Sequence, residues 1–108
     1  MAKIKNKGYS IETVKRILPH LKEDSMRIIL TEHFLEKMGH RCMDGEKVCE
    51  KLENHMPKSI VKYRDSDVNF ELTYDWDDED LAVVLSARPP HSVIMISAYF
   101  KEVFDEDC

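Results

Sequence analysis

Glycine is scarce in this chain. Only Gly8, Gly39 and Gly45 occur in 108 residues, which excludes the glycine-rich loops that cradle phosphates or dinucleotides, because those need glycine wherever backbone approaches the ligand closely. Cysteine is equally thin. Cys42, Cys49 and Cys108 are odd in number and include no Cys-x-x-Cys pair, so neither a disulfide framework nor a structural zinc site is expected and the thiols are read as reduced. His33, His40, Cys42 and Cys49 lie close together in sequence but lack metal-ligand spacing. The acidic run Asp75–Asp80 contains no glycine, whereas a calcium loop needs one for its sharp turn; it reads as a solvated hairpin tip. No apolar run approaches the roughly 20 residues that cross a bilayer, and Met1–Lys7 has no apolar stretch of the kind a signal peptide carries. A cytoplasmic protein with no membrane partner, no metal and no cofactor is expected.

What is present is an ordinary globular composition, 43% hydrophobic and 34% charged, with a net charge of −5. A single domain spanning residues 1–108 follows from the length. The charge is split along the chain: 9 Lys/Arg against 5 Asp/Glu in residues 1–41, then 7 against 16 in residues 42–108, giving +4 and −9. Nucleic acid binding draws on a basic surface, and only the first segment offers one.

Ile11, Val14, Ile17, Leu18 and Leu21 recur at spacings of three and four after Ser10, which predicts a capped helix with one buried face, ended or kinked at Pro19. Glu23–Ser25 reads as a polar loop, and Met26–Leu30 as either an extended piece or the lead-in to a helix. Thr31 caps a helix carrying Phe34, Leu35 and Met38, with Gly39 as its stop. Asp44 caps a third, carrying Val48, Leu52 and His55 or Met56, closed by Pro57. Beyond it the apolar period changes from about four to two and β-branched and aromatic residues take over, predicting strands over 60–64, 68–74, 81–87 and 93–99 joined by short links. The expected fold is α+β: N-terminal helices (about 10–56) packed on a four-stranded antiparallel meander (about 59–99), then an acidic tail (101–108). The continuous apolar run Leu81–Leu85 belongs at the centre of the sheet.

Candidate chemistry is concentrated in Thr31–Arg41. His33, Lys37 and Arg41 follow one another at intervals of four, so an imidazole and two cations can share one side of a helix. Metal-free RNA cleavage needs a base for the ribose 2′-hydroxyl, a cation for the phosphorane and an acid for the leaving oxygen, and His, Lys, Arg and Tyr can fill those roles. The same residue types also describe a solvated helix face whose cations pair with Glu32 or Glu36. Arg88 and His91, in the Arg-Pro-Pro-His loop, are a second cation and imidazole pair, or simply a rigid turn.

The order Leu30-Thr31-x-His33, then Met38-x-x-Arg41, Tyr63, Leu81–Leu85 and Val93–Tyr99 resembles the domain-of-unknown-function family 4258 over residues 26 to 102. That family looks like a member of the small nucleases that include barnase, the tRNA-cutting colicins and RelE-type toxins; a fainter similarity is to MqsR-like mRNA interferases. The resemblance implies a RelE/barnase-like fold and a toxin-type, metal-independent endoribonuclease with RNA as substrate and an antitoxin protein as partner. His33 and Arg41 match its histidine and arginine and Tyr99 an aromatic position at the end of its last strand, which makes these three the catalytic candidates, and Ser97 stands where the family more often has threonine. Lys37, Lys62, Arg64 and Arg88 are the candidates for holding the RNA backbone. The basic positions that RelE-type toxins carry on their central strands are largely missing. The −9 segment points instead to a noncatalytic protein-binding module of the same fold, and a homodimer through an exposed edge strand is compatible with either.

Overall fold

Ser10 and Thr13 cap each other reciprocally: the Ser10 hydroxyl accepts the Thr13 amide and the Thr13 hydroxyl accepts the Ser10 amide, both at 3.3 Å. This starts α1 (Ile11–Ile17), and Pro19, which has no amide to donate, converts its continuation into a 3-10 segment over Leu18–Glu23. The computed structural model describes residues 9–101; the tail after Lys101, including Cys108, lies outside the described residues. Two further helices follow, α2 (Glu32–His40) capped by Thr31 and α3 (Gly45–Asn54) capped by Asp44.

The sheet has five strands rather than the four antiparallel ones expected from the sequence. β2 (Ser59–Lys62), β3 (Asn69–Trp76), β4 (Glu79–Arg88) and β5 (Ser92–Lys101) form the meander, and β1 (Ile28–Ile29) adds to β5 in parallel, giving the order β1-β5-β4-β3-β2. Two residues are too few for the alternation that marks a strand, so Met26–Leu30 could be read as extended but not as paired. β4 is central, as its apolar run required, and Leu81–Leu85 are all fully buried.

Three local boundaries also differ from the sequence reading. α2 runs through Gly39, and the left-handed residue that ends it is Cys42 (φ 55), with Met43 N–H donating back to the Met38 carbonyl at 2.9 Å. This is a Schellman closure, and Met38 and Met43 both pack with the core, the apolar contact that accompanies such an ending. Cys42 is consequently exposed; Cys49 is half-buried, and both are free thiols. Arg64 is not on a strand: β2 stops at Lys62, and Arg64 and Asp65 sit at φ 53 and 59, the positive values that tight hairpin links demand. The acidic hairpin turns over Asp77-Asp78 alone, with Asp77 at φ 46, so β3 and β4 extend further than their apolar residues indicate.

One face of the sheet receives all the helices of the described residues. Phe70, Leu72 and Tyr74 of β3, Leu81, Val83 and Leu85 of β4, and Val93, Met95 and Ala98 of β5 form one core cluster with Val14, Leu21, Phe34, Met38, Val48 and Leu52 of the helical layer. Each such side chain contributes on the order of 1.5–3 kcal/mol of burial. Among the described residues no helix is long and apolar enough to cross a membrane. Phe34 joins α2 to this core and is fully buried; Phe34→Ala is expected to destabilise the domain by about 3–5 kcal/mol in urea unfolding, and a loss under 1 kcal/mol would contradict the packing described.

Candidate functional site

A single extra residue decides what the second face of the sheet displays. Leu85 pairs with Met95 but Val84 pairs with Ser97, so Ile96 is bulged out of the β4–β5 ladder. Regular alternation would place Ser97 and Tyr99 on the same side as Val93 and Met95, in the core. The bulge shifts the pattern by one, sending Ala98 and Phe100 to the helix side, opposite Val83 and Leu81, and aligning Ser97 with Val84 and Glu71 across the helix-free face. Tyr99 falls in the next row, beside Ala82 and Thr73.

Arg41 reaches this face from the C-terminal end of α2. Its Nη1 donates to the Ser97 hydroxyl and to the Ala98 carbonyl, both at 2.8 Å, and its guanidinium lies 6.0 Å from the Tyr99 ring centroid. At the other end of the helix the Thr31 hydroxyl accepts the Phe34 amide at 3.0 Å and donates to the Met95 carbonyl at 3.3 Å. α2 is therefore tied along β5 at both termini, and Arg41 satisfies an edge carbonyl that strand pairing leaves open.

Tyr99 donates from its hydroxyl to Glu71 Oε1 at 2.5 Å, and Lys101 Nζ lies 3.2 Å from Glu71 Oε2, whose side chain is only 14% exposed. Desolvation, and then the bond to the Glu71 carboxylate, push the Tyr99 phenol up to about 12. The helix-free face thus carries a continuous polar cluster: Arg41, Ser97, Tyr99, Glu71 and Lys101. At the hairpin end of the same face Lys58 Nζ pairs with Asp75 at 2.8 Å and Asp80 at 2.6 Å.

The other residues expected at a site are dispersed. His33 is exposed in the first turn of α2 and has no hydrogen bond, ion pair or aromatic contact among the described residues. Eight residues of helix separate it from Arg41, about 12 Å along the axis, and the stretch of β5 beside α2 runs from Met95 at the Thr31 end to Ala98 at the Arg41 end. Lys37 is half-buried on the same helix. Lys62 pairs with Asp67 at 3.6 Å, the Arg64 guanidinium sits 5.1 Å from the Tyr63 ring, and Arg88 is exposed at the far end of β4. His91 packs edge-on against His20, ring centroids 5.4 Å apart, and His20 bonds Glu23, which also holds Arg27. No group of three His, Cys, Asp or Glu residues among the described residues is arranged to hold a metal ion.

Glu71 and Lys101 complete the cluster, and neither carries a strong signal in the sequence. Their signal was weak: a lone carboxylate in the middle of an apolar strand, and a lysine one residue past the last apolar position. Comparison with protein-family models finds no match to the chain, and comparisons with curated proteins and with solved structures find none either.

The Tyr99 environment has a direct spectroscopic consequence. A phenol raised above its ordinary value of about 10 favours folding below that pH, and this contribution fades as pH rises through about 12. Burial raises the Tyr74 phenol as well, so tyrosinate absorbance followed against pH is expected to show late ionisation of two tyrosines, one of which is lost in Tyr99→Phe; ionisation of Tyr99 near its unperturbed value would contradict the part-buried Tyr99–Glu71 bond.

Proposed function

We propose that the helix-free face is an RNA-binding surface that cleaves the phosphodiester backbone without a metal ion. The observation that carries this is the convergence of Arg41, Tyr99 and Glu71 on one sheet face, and the resemblance of Arg41 and Tyr99 to the arginine and the last-strand aromatic of the nuclease-like family is in keeping with it. Glu71, rather than His33, takes the base role. Its carboxylate accepts the ribose 2′-hydroxyl proton as O2′ attacks phosphorus; the P–O5′ bond breaks, leaving a 2′,3′-cyclic phosphate, and the departing 5′-oxygen takes its proton from solvent. Arg41 retains guanidinium N–H groups beyond the Nη1 that binds Ser97 and Ala98, and with Lys101 it supplies positive charge to the phosphorane oxygens. Tyr99, protonated through the neutral range, orients Glu71.

A second reading rests on the hairpin end of the sheet, where Asp75, Asp77, Asp78, Glu79 and Asp80 gather in six residues and, among the described residues, only Asp75 and Asp80 meet a cation, Lys58. That surface suits a basic protein partner, antitoxin or otherwise, on a noncatalytic module.

Cleavage of a labelled single-stranded RNA by purified protein separates the two. Glu71→Gln and Arg41→Ala are each expected to lower the rate by about 100-fold or more, while His33→Ala stays within a few-fold of the parent. Absence of cleavage by the parent protein, with retained capture of a basic partner that Asp77→Asn and Asp78→Asn abolish, would establish the binding module instead.

A further inference from the structure

The outer edge of β1 meets α3 across an open groove. β1 pairs with Val93 and Ile94, at the opposite end of β5 from Lys101, and among the described residues no strand lies on its other side. Its edge is open to a further strand. A cavity of about 340 Å³ separates it from α3, bordered by Ile28 and Leu30 on one side and by Glu46, Cys49, Glu50 and Glu53 on the other.

The lining has two parts of different character. Ile28, Leu30 and Cys49 make an apolar floor, and it can be reached from solvent, since Leu30 is 43% exposed. Leu35 of α2 extends it: this side chain is 50% exposed, and its Cδ2 lies 3.9 Å from where a Cβ on Gly45 would stand, at the start of α3. Contiguous apolar surface left open in this way marks a contact with another molecule. The rim is wholly acidic. Glu46, Glu50 and Glu53 follow one another at i, i+4 and i+7 on α3, spanning about 10 Å, and among the described residues none of the three pairs with a cation. Burial, and then the Glu53 and Glu46 carboxylates, push the Cys49 thiol up to about 11, so through the neutral range it stays a protonated, unreactive part of the floor.

An occupant has to bring backbone groups for the strand edge, an apolar side chain for the floor and positive charge for the rim. A polyamine brings only the charge, and the carboxylates repel nucleic acid. An extended peptide with the pattern basic-x-apolar-x-basic brings all three, because residues i, i+2 and i+4 of a strand share one side at intervals of about 7 Å, which suits the length of the rim. We infer that the groove docks an extended basic segment of a partner protein, added as a strand to the outer edge of β1, with its apolar side chain on Leu30 and Cys49 and its cations against Glu46, Glu50 and Glu53. Backbone pairing supplies affinity in such an addition and the side-chain contacts supply selectivity. The surface is separate from the Asp75–Asp80 hairpin, and the inference holds whether or not the helix-free face cleaves RNA.

Fluorescence anisotropy of a panel of labelled Lys-x-Leu-x-Lys peptides, with x varied, added to the intact protein tests it. Saturable binding at low ionic strength, weakening as salt is raised, is expected from members of the panel. Replacing Glu46, Glu50 and Glu53 together by glutamine is expected to weaken it about 10-fold, a few-fold for each exposed ion pair. Leu30→Ser is expected to weaken it about 5-fold through lost apolar contact, while the double variant Asp77→Asn, Asp78→Asn binds as the parent does. A backbone N-methylated peptide keeps its charges but cannot pair with a strand, and is expected to lose saturable binding. The inference is overturned if no peptide of the panel binds saturably, if binding survives the glutamine substitutions or N-methylation, or if the Asp77 and Asp78 variant is the one that loses it. A parent protein that sediments as a dimer, dissociated by Leu30→Ser, would assign the groove to a second copy of the chain and overturn it equally.

Discussion

One unpaired residue, Ile96, governs the arrangement of everything around it. By adding a single position to β5 opposite the Val84–Leu85 step, it lets one strand serve two requirements that a regular alternation cannot meet together. Val93 and Met95 fill the core before the bulge, and Ala98 fills it after. Ser97 and Tyr99 are thereby released to the helix-free face, where they meet Arg41 and Glu71. Without the bulge Tyr99 would be directed into the helical layer and the polar cluster would not exist. Bulges beside functional positions act in this way, re-aiming a side chain at the cost of one ladder interaction.

α2 adds the second constraint. Its N-cap threonine and its C-terminal arginine both bond carbonyls of β5, so the helix lies along the strand and delivers Arg41 to the edge. The polar cluster is assembled from three elements separated widely in sequence: the end of α2, the middle of β3 and the end of β5. Each member is held by another, Arg41 by Ser97, Tyr99 by Glu71, and Glu71 by Lys101. Such preorganisation is what electrostatic stabilisation of a developing charge requires. The acidic hairpin beside it restricts what can approach, since a polyanion must pass Asp77 and Asp78 or dock from the Arg41 side.

Much of the fold was legible in the sequence because it depends on strong, local signals. The Ser10, Thr31 and Asp44 caps, the break at Pro19, and the change of apolar period after Pro57 each have one physical meaning, and the structure carries all of them. β1 escaped notice because parallel pairing of two residues leaves no periodic trace. Cys42 takes the left-handed position in place of Gly39 because the Met43 amide closes on the Met38 carbonyl while both side chains pack with the core, a tertiary preference that overrides the residue-type rule. The candidate site was half legible. Arg41 and Tyr99 stand out as types, but their partner Glu71 depends on strand register, and helical spacing groups His33 with Arg41 although the helix carries the two apart along its axis.

The central claim is that the helix-free face, built by the Ile96 bulge, is where RNA binds. Amide chemical shifts of the whole chain, recorded while a non-cleavable 2′-O-methyl oligoribonucleotide is added, test it most directly. Perturbations centred on Glu71, Tyr99 and Lys101, with Arg41 at their margin, are predicted. Shifts confined to the Asp75–Asp80 hairpin, or none at all at saturating oligomer, would contradict it.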